Sequence, residues 1–245
     1  MIVGAEARDL IHASRGHTAQ LRSTSDLDLG IAVRNWTDFD TAVERYELVG
    51  SNGIRRDVQG VPVDFIPFGD VEKPPGSVLL ATRSDPIIVF GFQEAFDGAD
   101  ELPLPSGATV RIPTPAGFAL LKMRAWLDRL SFADKDARDL AVAAYWYMSD
   151  ERVLDRAFDE SRMEQLEAVD FDGDLAAVQL LGEDIGSCLG ADARQDLCER
   201  WNRFDPDLDF IVPFFTFGSS DPIGRDIFRR RQILERLIGG LSVAP

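Results

Sequence analysis

The sequence predicts an α+β fold, with a mixed sheet and flanking helices over residues 1–113 and a helical domain over 114–245. Three observations predict it. Short apolar runs bounded by turn residues recur before Pro113, as in half-buried strands. Beyond that point apolar residues recur at helical spacing almost to the end of the chain. Between the two patterns lies Pro113-Thr114-Pro115, where Thr114 can cap a helix and Pro115 suits its first position.

The elements follow in order. Met1 to Gly4 reads as a short buried strand. Ala5 to Ala13 reads as a helix with Ala7, Leu10 and Ile11 at helical spacing, closed by Gly16. A loop leads to the strand Asp26-Leu27-Asp28-Leu29, which continues through Gly30-Ile31-Ala32-Val33. Thr37 is the expected cap of a helix to about Leu48, with Phe39, Val43 and Tyr46 on one face. Ile54 to Val58 and Val61 to Ile66 are strands joined as a hairpin at Gln59-Gly60. Asp70 to Asp85 carries two prolines and reads as irregular, and Ile87 to Phe92 and Ala108 to Ile112 are the last strands. Helices are then expected at Pro115–Leu130, Asp134–Met148, Glu151–Glu167, Asp174–Leu189, Ala191–Arg203 and Ile223–Leu241. The aromatic loop Phe204 to Asp221 is expected to pack back on the core rather than to form a binding platform.

Composition narrows the function. No run approaches the roughly 18 to 20 apolar residues of a membrane span, and the first residues lack the basic start of a secretory signal. A cytoplasmic protein with no membrane partner is expected. Cys188 and Cys198 have neither disulfide-framework nor zinc spacing. His12 and His17 are too few for a histidine metal site. The net charge of −16 argues against broad, non-specific binding to nucleic acid. All but three of the 26 basic residues are arginine, and two of the three lysines, Lys122 and Lys135, fall in one short segment.

The chemistry is carried by carboxylates. In a strand, Asp26 and Asp28 point to one face and Leu27 and Leu29 to the other. Two like charges side by side are tolerable when a divalent cation lies between them, and Mg²⁺ binds through one or two carboxylates plus substrate phosphates. A third carboxylate, Asp64, lies in the apolar run Val61-Pro62-Val63-Asp64-Phe65-Ile66. It would complete a two-metal site for phosphoryl chemistry. The plain alternative is the solvated face of an edge strand. Asp64 argues against it, because a carboxylate in an apolar strand is costly to bury without a partner.

Four stretches together resemble the nucleotidyltransferases of the DNA-polymerase-β-like superfamily, closest to the AbiEii and MenT toxin branch. They are Val3-Gly4-Ala5-Glu6-Ala7-Arg8-Asp9-Leu10; Arg22-x-Thr24-x-Asp26-x-Asp28-Leu29; Val63-Asp64-Phe65-Ile66-Pro67-Phe68; and Leu121-Lys122 with Arg129, then Lys135-Asp136-x-x-Asp139-Leu140. The resemblance implies a polymerase-β-like catalytic domain. It implies that Asp26, Asp28 and Asp64 hold Mg²⁺, as two ions, with Mn²⁺ an alternative. Asp26, Asp28, Asp64, Lys122 and Asp139 would be catalytic. Gly4, Ala5, Arg8, Arg22, Thr24, Lys122, Arg129, Lys135 and Asp136 would receive the nucleotide. The chain departs from the family's Gly-Ser or Gly-Gly turn in having Ala5, so no hydroxyl meets the phosphate there. The family carries a helix before its first strand, whereas here the strand opens the sequence. Each basic or acidic residue of the fourth stretch also has a plain reading, as a snorkelling lysine or as a partner of a helix dipole.

The reaction so implied moves a nucleoside monophosphate from a nucleoside triphosphate to an acceptor hydroxyl. A tRNA 3′ end is the acceptor suggested by the toxin branch, with a cognate antitoxin as partner. For RNA, the basic surface would be the final helix, where Arg225, Arg229, Arg230, Arg231 and Arg236 crowd together with Ile223, Ile227, Leu234, Ile238 and Leu241 turned to the core. Salt bridges to an acidic body are the equal alternative. Two other functions remain open, transfer to a small cationic acceptor such as an aminoglycoside and a catalytically inactive binding module. Replacing Lys122 by alanine is expected to weaken triphosphate binding and leave the fold intact.

Overall fold

The computed structural model describes residues 1–129, 134–217, 223–224 and 226–243. The chain divides into two compact units, Met1–Leu121 and Lys122–Pro245. The architecture is α+β, with a mixed five-stranded sheet in the first unit and helices in the second.

In unit 1 the strands β1 (Ile2–Val3), β2 (Leu27–Val33), β3 (Glu47–Leu48), β4 (Arg55–Val58) and β5 (Val61–Gly69) form a sheet in the order β1-β2-β5-β4-β3. β2 and β5 are parallel, and every other pair is antiparallel. The alternation of β2 and β5 sorts their side chains. Leu27, Leu29 and Ile31 pack with Val63 and Phe65 and with Phe39 and Val43 of α2 (Trp36–Val43). On the opposite face Gly30 lies against Phe68 and Phe92. Helix α1 (Gly4–Ser14) follows β1 and buries Ala5, Ala7, Arg8, Ile11 and His12, while Leu10 is exposed.

Several boundaries differ from expectation. Asn35, not Thr37, caps α2, its Oδ1 accepting from the Asp38 amide at 2.9 Å. The helix ends at Val43 because Glu47 and Leu48 are drawn into β3 by pairing with Asp57 and Arg56. β5 runs on to Gly69, since its ladder with β2 continues that far. The 70–85 stretch contains a short strand, β6 (Ser77–Val78), paired with β7 (Ile87–Ile88). The run expected as a strand through Phe92 turns at Gly91, whose φ of 81° is in the left-handed region, into α3 (Phe92–Asp97). β8 (Asp100–Pro103) and β9 (Thr109–Ile112) form a separate hairpin. Thr114 caps α4 (Pro115–Arg129), its Oγ1 accepting from the Gly117 amide at 3.2 Å.

Unit 2 continues with α5 (Asp134–Met148). The single helix expected over Glu151–Glu167 is two, α6 (Glu151–Ala157) and α7 (Met163–Glu167), separated by a 3-10 turn. Asp159 causes the break by accepting from both the amide and the hydroxyl of Ser161, at 2.9 and 2.5 Å. Helices α8 (Gly173–Cys188), α9 (Ala191–Phe204) and α10 (Ile227–Val243) complete the unit. The aromatic loop is divided, with Phe215 and Phe217 buried and Phe210 and Phe214 exposed. Leu130, the 218–221 end of that loop and Arg225 lie outside the described residues.

α8 and α10 cross with almost no side chain between them. A methyl group on Gly182 would strike the backbone of Leu237, Gly240 and Leu241, and one on Gly240 would strike the backbone of Gln179 and Glu183. Backbone cannot yield as a flexible side chain can. Gly240→Ala is therefore expected to lower the unfolding free energy by about 2 kcal/mol or more, measured by urea denaturation. Gly239→Ala, which faces open space, is the control and is expected to be neutral or stabilising by less than ~1 kcal/mol.

Candidate functional site

The candidate residues fall in two clusters of charge, one in each unit. In unit 1 the register of the sheet builds the first. Asp28 of β2 pairs with Asp64 of β5, and Asp64 pairs in turn with Arg55 of β4. Residues at paired positions present their side chains to the same face. Arg55, Asp64 and Asp28 therefore form a row across three adjacent strands. Asp26 stands two residues before Asp28, just ahead of β2.

The Arg55 guanidinium ties the row together. Its Nε donates to Asp64 Oδ1 at 2.8 Å, and its Nη2 donates to Asp64 Oδ2 at 3.0 Å and to Asp26 Oδ2 at 2.5 Å. These carboxylates raise the affinity of Arg55 for its proton, the bonds to Asp64 first. Thr24 holds the other oxygen of Asp26, its hydroxyl donating to Oδ1 at 2.6 Å. That bond, with the Arg55 charge behind it, keeps the Asp26 carboxyl below the usual aspartate range.

Asn52 secures Asp64 from the loop before β4. Its Nδ2 donates to both carboxylate oxygens, at 3.2 and 3.3 Å, while its Oδ1 accepts from the amides of Ile54 and Arg55. Arg83 donates to the Asn52 carbonyl and ties the loop down.

On the far side, the turn into α1 comes close to Asp28. Gly4 has a φ of 68°, and a Cβ there would overlap the Asp28 carboxylate. Only glycine fits both demands. Glu6, in the first turn of α1, is a fourth carboxylate of this neighbourhood. Its Oε2 is buried with no hydrogen-bond partner among the described residues. Burial first, then the charges of Asp28, Asp9 and Asp26, raise its carboxyl above the usual range.

The Arg8 guanidinium is engaged within the protein. Arg8 is buried and donates to Asp9 at 2.8 Å and to the Arg22 carbonyl at 2.5 Å. It pins α1 to the loop that precedes β2. The Arg22 residue is exposed.

The second cluster joins α4 and α5 in unit 2. Lys122 Nζ lies 2.7 Å from Asp139 Oδ2 and 3.5 Å from Asp136 Oδ1. Arg129 Nη1 reaches the other Asp136 oxygen at 3.2 Å. Asp136 and Asp139 are buried, and Lys122 nearly so, whereas Lys135 is exposed on the neighbouring position of α5. Thus Asp26, Asp28 and Asp64 come together in unit 1, and Lys122, Arg129, Asp136 and Asp139 come together in unit 2.

Arg55, Asn52 and Glu6 were not singled out in the sequence. Arg55 and Asn52 act through Asp64, nine and twelve residues away across a hairpin, a relation that only strand register reveals. A signal for Glu6 existed, in its place two residues after Gly4 in the first turn of the helix.

The arginines of α10 are also engaged. Arg229 bonds both Asp172 oxygens at 2.7 and 3.0 Å and Asp174 at 3.0 Å. Arg231 pairs with Asp209, and Arg236 donates to the Ala168 carbonyl. Arg230 donates to the Gly224 carbonyl. Ile227, expected in the core, is half exposed at the start of α10, and Ile233 and Leu237 join Leu234 and Leu241 on the buried face.

The ligand atoms that Asp26, Asp28 and Asp64 offer are all carboxylate oxygens, which suits a hard divalent cation. As they stand, no three acidic, histidine or cysteine side chains among the described residues are gathered as a metal site. The guanidinium lies between Asp26 and Asp64. No described helix is long and apolar enough to cross a membrane. No protein-family model matches the chain, and no curated protein matches it.

The buried pairing changes what is expected of Lys122. Lys122→Ala leaves two buried carboxylates short of their cation and is expected to destabilise unit 2 by about 3 kcal/mol, seen as a lowered denaturation midpoint. Lys135→Ala is expected to leave it unchanged.

Asp172 gives a test by pH. Arg229 holds its carboxyl below the usual range, so the pair's stabilisation is present above the ordinary aspartate pKa of about 4 and is lost as the pH falls through the depressed one. Arg229→Gln is expected to cost about 1 kcal/mol at pH 7. The difference from wild type should shrink toward zero in denaturation curves taken progressively below pH ~4.

Proposed function

We propose that the protein is a metal-dependent nucleotidyltransferase with a polymerase-β-like catalytic unit, moving a nucleoside monophosphate from a nucleoside triphosphate to an acceptor hydroxyl. The observation that carries this reading is the pairing of Asp28 with Asp64 on adjacent parallel strands, with Asp26 bridged to Asp64 by Arg55. Three carboxylates on one sheet face are costly to maintain without a cation. Their oxygen-only chemistry fits Mg²⁺ or Mn²⁺.

Asp26, Asp28 and Asp64 would hold the metal, which when bound neutralises phosphate charge and lowers the pKa of the attacking hydroxyl. The acceptor hydroxyl gives up its proton to solvent as its oxygen attacks the α-phosphorus, the bond to the pyrophosphate oxygen breaks, and pyrophosphate leaves with the electron pair. The chain's own work is positioning. Thr24 orients Asp26, Asn52 orients Asp64, and Gly4 lets backbone lie against the Asp28 carboxylate.

A tRNA 3′ end in a toxin-antitoxin pair is the acceptor suggested by the resemblance to AbiEii and MenT proteins. A second reading, a small cationic acceptor such as an aminoglycoside, is favoured by a specific observation. The α10 guanidinia that RNA would need are bonded to Asp172, Asp174 and Asp209 and to backbone carbonyls. The net charge of −16 also suits a cationic acceptor better than a polyanion.

The test is incubation with Mg²⁺ and each of the four nucleoside triphosphates labelled at the α-phosphate, with total RNA or with an aminoglycoside. Label transfer is expected, and Asp64→Asn should lower its rate by roughly 10²–10³-fold. Label in RNA supports the tRNA reading, and label on the aminoglycoside supports the second. No transfer to either overturns both in favour of a binding module.

A further inference from the structure

The guanidinium of Arg55 uses the same oxygens that a divalent cation would need. It takes both oxygens of Asp64 and Oδ2 of Asp26, while Thr24 takes the remaining Asp26 oxygen. Every oxygen of those two carboxylates thus accepts from the protein itself. A planar guanidinium suits this work because its parallel donors match a carboxylate edge and can reach a second acid. A divalent ion bridging Asp26 and Asp64 would need the place between them that the guanidinium holds, and its charge would repel that of Arg55.

We propose that Arg55 is an internal stand-in for the cation, holding the metal-free carboxylates together and leaving when a divalent ion enters with the nucleotide. The proposal rests on the nucleotidyltransferase reading above. Arg55 has the means to leave. Its backbone is fixed by the β4–β5 ladder and by Asn52, whose Oδ1 accepts its amide at 2.9 Å. Its side chain is 33% exposed, so the guanidinium can turn outward without disturbing the core.

Two consequences follow from the charges. A cation entering alone has to displace one bound positive group, which weakens its apparent affinity. When a triphosphate enters with it, the displaced guanidinium finds phosphate oxygens as new partners. Metal and nucleotide therefore bind cooperatively, each raising the affinity of the other by the same factor.

The experiment is calorimetric titration of the full chain with Mn²⁺ alone, then with Mn²⁺ in the presence of a non-hydrolysable nucleoside triphosphate. Wild type is compared with Arg55→Gln and Arg55→Lys. Arg55→Gln is expected to bind Mn²⁺ alone at least tenfold more tightly than wild type and to lose most of the nucleotide's enhancement. Arg55→Lys, whose single ammonium cannot fork between two carboxylates, should lie between them and carries the comparison should the glutamine variant not fold. In EDTA, thermal unfolding of Arg55→Gln should come earlier than that of wild type, and Mn²⁺ should restore it. Equal or weaker Mn²⁺ binding by the variants overturns the stand-in role while leaving the metal site in place. Absence of Mn²⁺ binding in all three proteins, with or without nucleotide, overturns the stand-in and the metal-dependent reading together.

Discussion

The parallel pairing of β2 with β5 sets Asp28 beside Asp64, and the rest of that sheet face is arranged around the resulting repulsion. A slip of one residue in β5 would carry Asp64 into the apolar layer with Phe39 and Val43 and bring Val63 and Phe65 out. The apolar alternation therefore holds the carboxylates where they are. What surrounds them is compensation. Arg55 brings charge from the next strand, Asn52 and Thr24 bring donors from loops, and Glu6, lacking a donor for one oxygen, shifts toward its neutral form.

Unit 2 solves the same electrostatic problem with different means. Lys122 and Arg129 on α4 meet Asp136 and Asp139 on α5, two cations against two anions, with the carboxylates fully inside. Asp136 in the first turn of α5 is in any case favoured by the helix dipole, but here it and Asp139 are also the points at which two helices are locked. The contrast lies in exposure. Lys122 is buried with its two acids, whereas Arg55, like Arg129, keeps a third or more of its side chain at the surface.

How much was legible follows the range of the interactions involved. The strand from Leu27 to Val33, the Gln59-Gly60 turn and the Thr114-Pro115 helix start are local and stand as read, with Asp26 one residue ahead of the strand rather than in it. β3 is too short to show a period and β8, Asp-Glu-Leu-Pro, has one aliphatic residue and a closing proline, so their strand character comes from the partner they pair with. The break at Asp159 came from a side chain competing with the helix backbone, which an apolar pattern does not register. The two readings of the arginine-rich helix could not be separated locally, since the acids that engage Arg229 lie 55 and 57 residues away. Arg55 was hidden in the same manner, as an ordinary polar residue of a hairpin until the register set it beside Asp64.

The glycine crossing of α8 and α10 also bears on how the chain is made. The five-stranded sheet needs nothing beyond Gly69, so its strands can associate early in synthesis. The face of α8 around Gly182 waits for a helix that ends at Val243, 55 residues after Cys188. At ribosomal speeds of about 5–20 residues per second, that face stays bare for roughly 3 to 11 seconds. Nascent-chain chaperones have their opening there, on the helical unit rather than on the sheet.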